Sequence, residues 1–107
     1  RVLLEHGADP NLYYYPDGPA ISYAALEGWR PLVELLLDHG AWIDAPDWDG
    51  WTALHWAARN GRQETVRLLV ARGARTGALT EEGDTPLGLA RRYGHESVVA
   101  ELEAPDR

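Results

Sequence analysis

The chain has 107 residues, enough for one domain with a modest core. Its 17 acidic residues outnumber ten basic ones, giving a formal charge of -7 that argues against a phosphate backbone or an anionic membrane surface as partner. Every basic residue is an arginine and cysteine is absent, which removes a disulfide framework, a thiolate nucleophile, cysteine-ligated zinc, a Schiff-base lysine and a phosphate-loop lysine.

The apolar runs, such as Leu35 to Leu37, are too short to cross a bilayer, and the N-terminus does not read as a signal sequence. The expectation is a soluble protein in an intracellular setting.

Residues 1–12 read as the end of an incomplete unit. Arg1 falls at the register of Glu34 and Arg67, in mid-helix, and Val2, Leu3 and Leu4 align with Leu35, Leu36 and Leu37, so a fragment of a longer protein is expected. From Ala8 to Gly18, proline, asparagine, aspartate and glycine mark a loop or short hairpin. Ala20, Ile21, Ala24 and Ala25 then fall on one face of a short helix that Gly28 closes. Pro31 suits the first turn of a second helix, whose stripe Leu32, Val33, Leu35, Leu36 and Leu37 ends at Gly40.

The stretch Asp47 to Ala78 writes the same unit more clearly. Asp47, Asp49 and Gly50 form the turn, and Thr52 is placed to cap a helix by accepting from a free backbone N–H, a contact worth about 1 kcal/mol. Leu54, Ala57 and Ala58 follow on the inner helix up to Gly61, then Val66, Leu68, Leu69 and Val70 on the outer helix up to Gly73. A step of 33 carries Ala24, Gly28, Leu35 and Gly40 onto Ala57, Gly61, Leu68 and Gly73, and a second step reaches Ala90 and Gly94. In the last unit Glu101 replaces Leu35 and Leu68, as expected for a solvent-facing cap at the end of a stack.

At Thr52, Ala53, Leu54, His55, Trp56 and Ala57, and again at Thr85, Pro86 and Leu87, the chain resembles the ankyrin repeat, whose signature is T-P-L-H-x-A. Leu36, Gly40 and Ala41, Leu69, Gly73 and Ala74, and the stretch His6 to Asn11 resemble the family's unit endings. The resemblance implies an all-α repeat solenoid of stacked helix-turn-helix units joined by β-hairpin-like loops. It divides residues 1–107, a single domain, into a truncated unit at 1–12, repeats at 13–45 and 46–78, and a capping repeat at 79–107. It also implies that His55 bonds locally to the Thr52 hydroxyl. The departures are Pro19 for the capping threonine, Ser22 and Gly88 for the histidine, and Trp56 for the usual leucine.

No catalytic or metal-binding set assembles. Asp44, Asp47 and Asp49 before Gly50 have the look of a calcium loop, but that register places Ala45 at the first ligand position and Trp56 at the twelfth. His6, His39, His55 and His95 are dispersed, and His95 and Glu96 lack the second histidine of a zinc helix because Val99 stands there. Ser22 and Ser97 lie in no nucleophile turn. No enzyme, cofactor or metal is expected.

The five tryptophans and five tyrosines, with no phenylalanine, carry more information. Tyr23 and Trp56 share an inner-helix position and read as core filling or partial burial. Tyr13, Tyr14, Tyr15, Trp48 and Trp51 lie in turn segments, where the scaffold does not require large rings, and Tyr15 aligns with Trp48. Aromatic anchors of this kind contribute roughly 2 kcal/mol each at interfaces. By alignment with the family's variable positions, the partner-binding set is Tyr13, Tyr15, Leu26, Glu27, Trp48, Asp49, Trp51, Arg59, Asn60, Glu81, Glu82, Asp84, Arg92 and Tyr93, with Trp29 and Trp42 outside it.

The function expected is protein–protein recognition through hairpin tips and the inner-helix face, with a partner carrying basic or aromatic anchors and neither nucleic acid nor membrane. The alternatives are an immunity or inhibitor protein against a basic toxin or enzyme, and a regulatory module of a larger enzyme; self-association is a further option for the exposed tryptophans.

Overall fold

The computed structural model describes residues 13–14 and 18–103. The readings at residues 1–12 and at Tyr15 lie outside this range, as do the side chains of Tyr13 and Tyr14. A two-residue antiparallel ladder pairs β1 (Tyr13–Tyr14) with β2 (Gly18–Pro19), Tyr13 opposite Pro19. Six helices follow among the described residues: α1 (Ala20–Leu26), α2 (Arg30–Asp38), α3 (Ala53–Arg59), α4 (Gln63–Ala71), α5 (Pro86–Arg92) and α6 (Glu96–Glu103). None is long and apolar enough to cross a membrane.

The expected all-α stack is realised as an inner layer of α1, α3 and α5 and an outer layer of α2, α4 and α6. Each inner helix packs on the next inner helix and on its own outer partner. Small side chains make the inner layer tight: Ala24, Ala25, Ala57, Ala58 and Ala90 are fully buried, so neighbouring backbones approach closely without side-chain interference. Val33, Leu36, Val66, Leu69 and Val98 fill the space between layers. Burial of such a side chain stabilises by about 1.5–3 kcal/mol.

The helix starts follow their capping residues. Thr52 forms a complete capping box with His55, and the Thr85 hydroxyl accepts from Gly88 N, whereas Pro19 supplies no side-chain cap to α1. At the other end, Gly28 N donates to Ala25 O and Trp29 N to Ala24 O, a closure that needs a left-handed residue. Gly28 adopts φ +70°, and a Cβ placed on it would lie 2.7 Å from Arg62 Cδ; at Gly61 a Cβ would meet His95 Nδ1 at 2.6 Å. Glycine therefore serves both the turn and the close approach of the next unit's side chain.

Those approaching side chains tie the units together. Arg62 Nε and Asn60 Nδ2 donate to Leu26 O at 3.1 and 3.0 Å, and His95 Nε2 lies 2.8 Å from Arg59 O one period later. Along the outer layer the cross-unit ties are charge pairs: Arg30 with Glu64, Arg72 with Asp38 and Arg67 with Glu101.

One side chain departs from expectation, and a second resolves between the two readings given for it. Glu101 does not face solvent: its side chain is 11% exposed and accepts from Arg67 Nε at 3.3 Å, because the preceding unit's arginine lies across it. Tyr23, for which core filling or partial burial was expected, is partly buried at 41% exposure, since buried Ala24 and Ala25 take the contacts toward α3 and turn the neighbouring position outward.

Candidate functional site

The loop before α3 is built by Asp47. Its backbone N–H donates to Trp51 O at 2.8 Å, and its Oδ1 accepts from Asp49 N at 2.9 Å and Trp51 N at 3.0 Å, an arrangement short acidic side chains favour in turns. Its Oδ2 accepts from Trp56 Nε1 at 2.9 Å. One carboxylate thus shapes the loop and fixes an indole on α3, leaving Trp48 and Asp49 exposed at the tip, Trp48 by 60%.

Thr80, one period on, does the same with a hydroxyl. Its N–H donates to Asp84 O, and its Oγ1 accepts from Glu82 N at 3.2 Å and Asp84 N at 3.1 Å, so that Glu81 and Glu82 occupy the exposed tip. The two tips are linked directly, Glu81 N donating to Asp49 O at 3.0 Å.

Between these tips and the inner helices lie two clefts. One, of about 170 Å³, is bounded by Ser22, Tyr23 and Leu26 of α1, by Asp47, Trp48 and Asp49 of the loop, and by Trp56. The other, of about 310 Å³, is bounded by Asp49, Trp51, Trp56, Glu81 and Glu82. Asp49 and Trp56 belong to both.

The aromatic groups between the clefts support one another. Trp51 and Trp56 stack with centroids 4.3 Å apart and planes inclined by 35°, and the Trp51 ring lies 6.0 Å from that of His55. The Arg59 guanidinium carbon is 5.7 Å from the Trp56 ring and 5.1 Å from that of Tyr93, one cation held by two π-faces.

His55 supports this face from behind. It is fully buried, with Nδ1 2.9 Å from Thr52 N and Nε2 2.9 and 3.0 Å from Ala78 O and Asp84 O. These partners select the neutral tautomer in which Nδ1 accepts and Nε2–H donates to the two carbonyls. Burial, the largest influence, holds its pKa below the ordinary 6.5, outweighing the opposing pull of the Asp84 and Ala78 carbonyls and of the Asp47 and Asp84 carboxylates.

Of the residues expected from sequence, Leu26, Trp48, Asp49, Trp51, Glu81 and Glu82 meet at the clefts, and Arg59 and Tyr93 adjoin them. Glu27 is exposed but lines neither cleft, and Arg92 Nη2 is paired with Asp84 Oδ1 at 2.8 Å. Two residues of the expected binding set carry structural duty: Trp51 is half-buried in its stack, and Asn60 ties α3 to the end of α1. Tyr23, Trp56, Asp47 and Ser22 lie outside the set expected from sequence, although Tyr23 and Trp56 lie one period apart and both reach the first cleft. Trp29, 53% exposed, joins Pro31, Leu32 and Leu35 in a separate apolar groove, and Trp42 is 60% exposed. Among the described residues no group of three or more histidine, aspartate or glutamate side chains is placed to hold a metal ion.

The family model described as ankyrin repeats, three copies, matches residues 1–79. No curated protein matches the chain.

Proposed function

This chain belongs to the ankyrin repeat family, whose members are generally protein–protein interaction modules, and on that premise we propose that it binds a protein partner across the paired clefts and their tips without performing chemistry. The observation that carries this reading is the convergence at Asp49 and Trp56 of two clefts that combine indole surface with acidic side chains. The Asp49, Glu81 and Glu82 carboxylates make no ion pair among the described residues, so their charge is available to a second molecule. Tryptophan and tyrosine offer large contact areas with few rotors to immobilise, which suits them to anchor an interface of ~800 Å² per partner.

A photo-crosslinking residue tests the reading directly. Placed at Glu82 or Leu26, on the cleft side, it captures the partner; placed at Ser97, on the outer layer, it does not. Equal capture from both sides would sink the proposal.

The same carboxylates favour a second reading, an inhibitor of a basic toxin or enzyme. Association that weakens steeply with salt supports that reading, and salt-insensitive association argues against it. The lack of cysteine accords with an intracellular location under either one.

A further inference from the structure

Ser22 and His55 occupy the same position one period apart, yet only His55 reaches the loop of the following unit, bonding Ala78 O and Asp84 O. Ser22 is 1% exposed, and its Oγ has no hydrogen-bond partner among the described residues. A buried hydroxyl without a partner has lost its water and gained nothing in return, which makes it an unused binding capacity. The loop beyond it is held by Asp47 instead, and Ser22 lines the cleft of about 170 Å³ between α1, that loop and α3.

We propose that this cleft is a socket for a single arginine side chain of the protein partner. The inference rests on the functional reading above and names the anchor it lacked. The walls select the chemistry. Tyr23, Trp48 and Trp56 offer aromatic surface, and Asp49 brings a carboxylate that makes no ion pair among the described residues. Asp47 adds a second negative charge, part of whose accepting capacity is already used by Asp49 N, Trp51 N and Trp56 Nε1.

No basic side chain lines the cleft, so an anion would be repelled and an apolar side chain would leave two carboxylates desolvated. A guanidinium has a flat face for the rings and several N–H donors for Asp49 and the Ser22 hydroxyl, whereas an ammonium is a point charge without the flat face. The volume is below the ~300–1,000 Å³ usual for small-molecule sites and fits one side-chain head.

The test is a titration of the protein with capped arginine (N-acetylarginine N-methylamide), read on the indole N–H resonances of Trp48 and Trp56. Capped citrulline, of the same shape without charge, and capped lysine serve as controls. Arginine gives saturable shifts, lysine binds at least about fivefold more weakly, and citrulline gives none. Ser22→His, which restores the imidazole found one period later, abolishes arginine binding. Asp49→Asn, at an exposed tip where folding is not at stake, weakens it by about tenfold. Lack of saturation, equal affinity for lysine and arginine, or unchanged binding in Asp49→Asn overturns the socket. If arginine fails while cleft-side crosslinkers still capture the partner, the socket alone is wrong; if arginine binds while capture comes equally from both sides, the wider reading is wrong.

Discussion

His55 Nε2 lies 3.0 Å from the backbone carbonyl oxygen of Asp84, twenty-nine residues on, so one imidazole joins an inner helix to the loop of the following unit. The same ring closes the cap of its own helix through Thr52. His55→Ala removes both functions: the Ala78 carbonyl and the Thr52 amide lose their partner in the ring, and Asp84 O keeps only Thr80 N. It should lower unfolding free energy by about 2–4 kcal/mol, measured by urea denaturation. A loss confined to a few tenths would mean that the loops are held by their own Asp47 and Thr80 alone.

The depressed pKa of His55 has a definite sign in the stability of the fold. Above the ordinary value of 6.5 the imidazole is neutral in folded and unfolded chains alike, and its contribution is fully present. As pH falls below 6.5 the unfolded chain takes up the proton first, so stability declines until the folded-state pKa is passed, and then levels. The slope from this one group cannot exceed about 1.4 kcal/mol per pH unit. Denaturation curves between about pH 7.5 and 5 should show this decline in the wild type, and His55→Leu should remove it.

Trp48 and Trp51 part company as binding residues. Trp48 stands 60% exposed at the tip, so Trp48→Ala should reduce partner capture while leaving the melting temperature within about a degree. Trp51 stacks on Trp56 and borders His55, so Trp51→Ala should cost about 2 kcal/mol of stability as well as affinity. Thermal melts and partner binding measured on the same two variants distinguish these outcomes; a stable Trp51→Ala protein would show that the stack is incidental.

Glu101 occupies the position of Leu35 and Leu68 and is nearly covered, its carboxylate paired with an arginine that is itself half-exposed. Removing one partner of a covered ion pair is costly when the other charge stays buried, but Arg67 is half-exposed and keeps Glu64 at 3.4 Å, so an apolar side chain here gains packing without stranding a charge. Glu101→Leu should therefore raise stability by about 1 kcal/mol, read as a higher denaturation midpoint. A drop would show that the Arg67 pair is worth more than the packing it displaces.

The repeat was legible because its signals are local. Thr52 and Thr85 mark helix starts, Gly28, Gly61 and Gly94 mark ends, and the 33-residue step puts small residues where inner helices touch. Even the missing cap at Pro19 follows from its side chain. What could not be read depends on contacts between residues distant in the chain or on which way a ring turns. The cover over Glu101 comes from Arg67 in the unit before it, and Asn60 resembles a free surface amide until Leu26 O is brought within 3.0 Å. Trp56 is committed by Asp47, nine positions away on a loop whose geometry that aspartate itself creates. Ser22 was visible as a departure from the signature, but the cleft beside it exists only once Tyr23 and Trp48 are in place.

The two layers are fastened differently. At the inner layer, side chains bond directly to backbone carbonyls at both ends of α3, through His55 at its start and Asn60 and Arg62 just past its close. At the outer layer, charge pairs such as Arg30 with Glu64 and Arg72 with Asp38 join side chains that remain largely in water, where a displaced partner is readily replaced by solvent. The expected consequence is a preferred bending axis: the inner layer should hold its spacing like a hinge, while the outer layer, apart from the covered Arg67–Glu101 pair, should yield first like a bellows. A partner that grips the tips, as proposed, would adjust the curvature at the expense of those exposed pairs and leave the bonds that align the clefts intact.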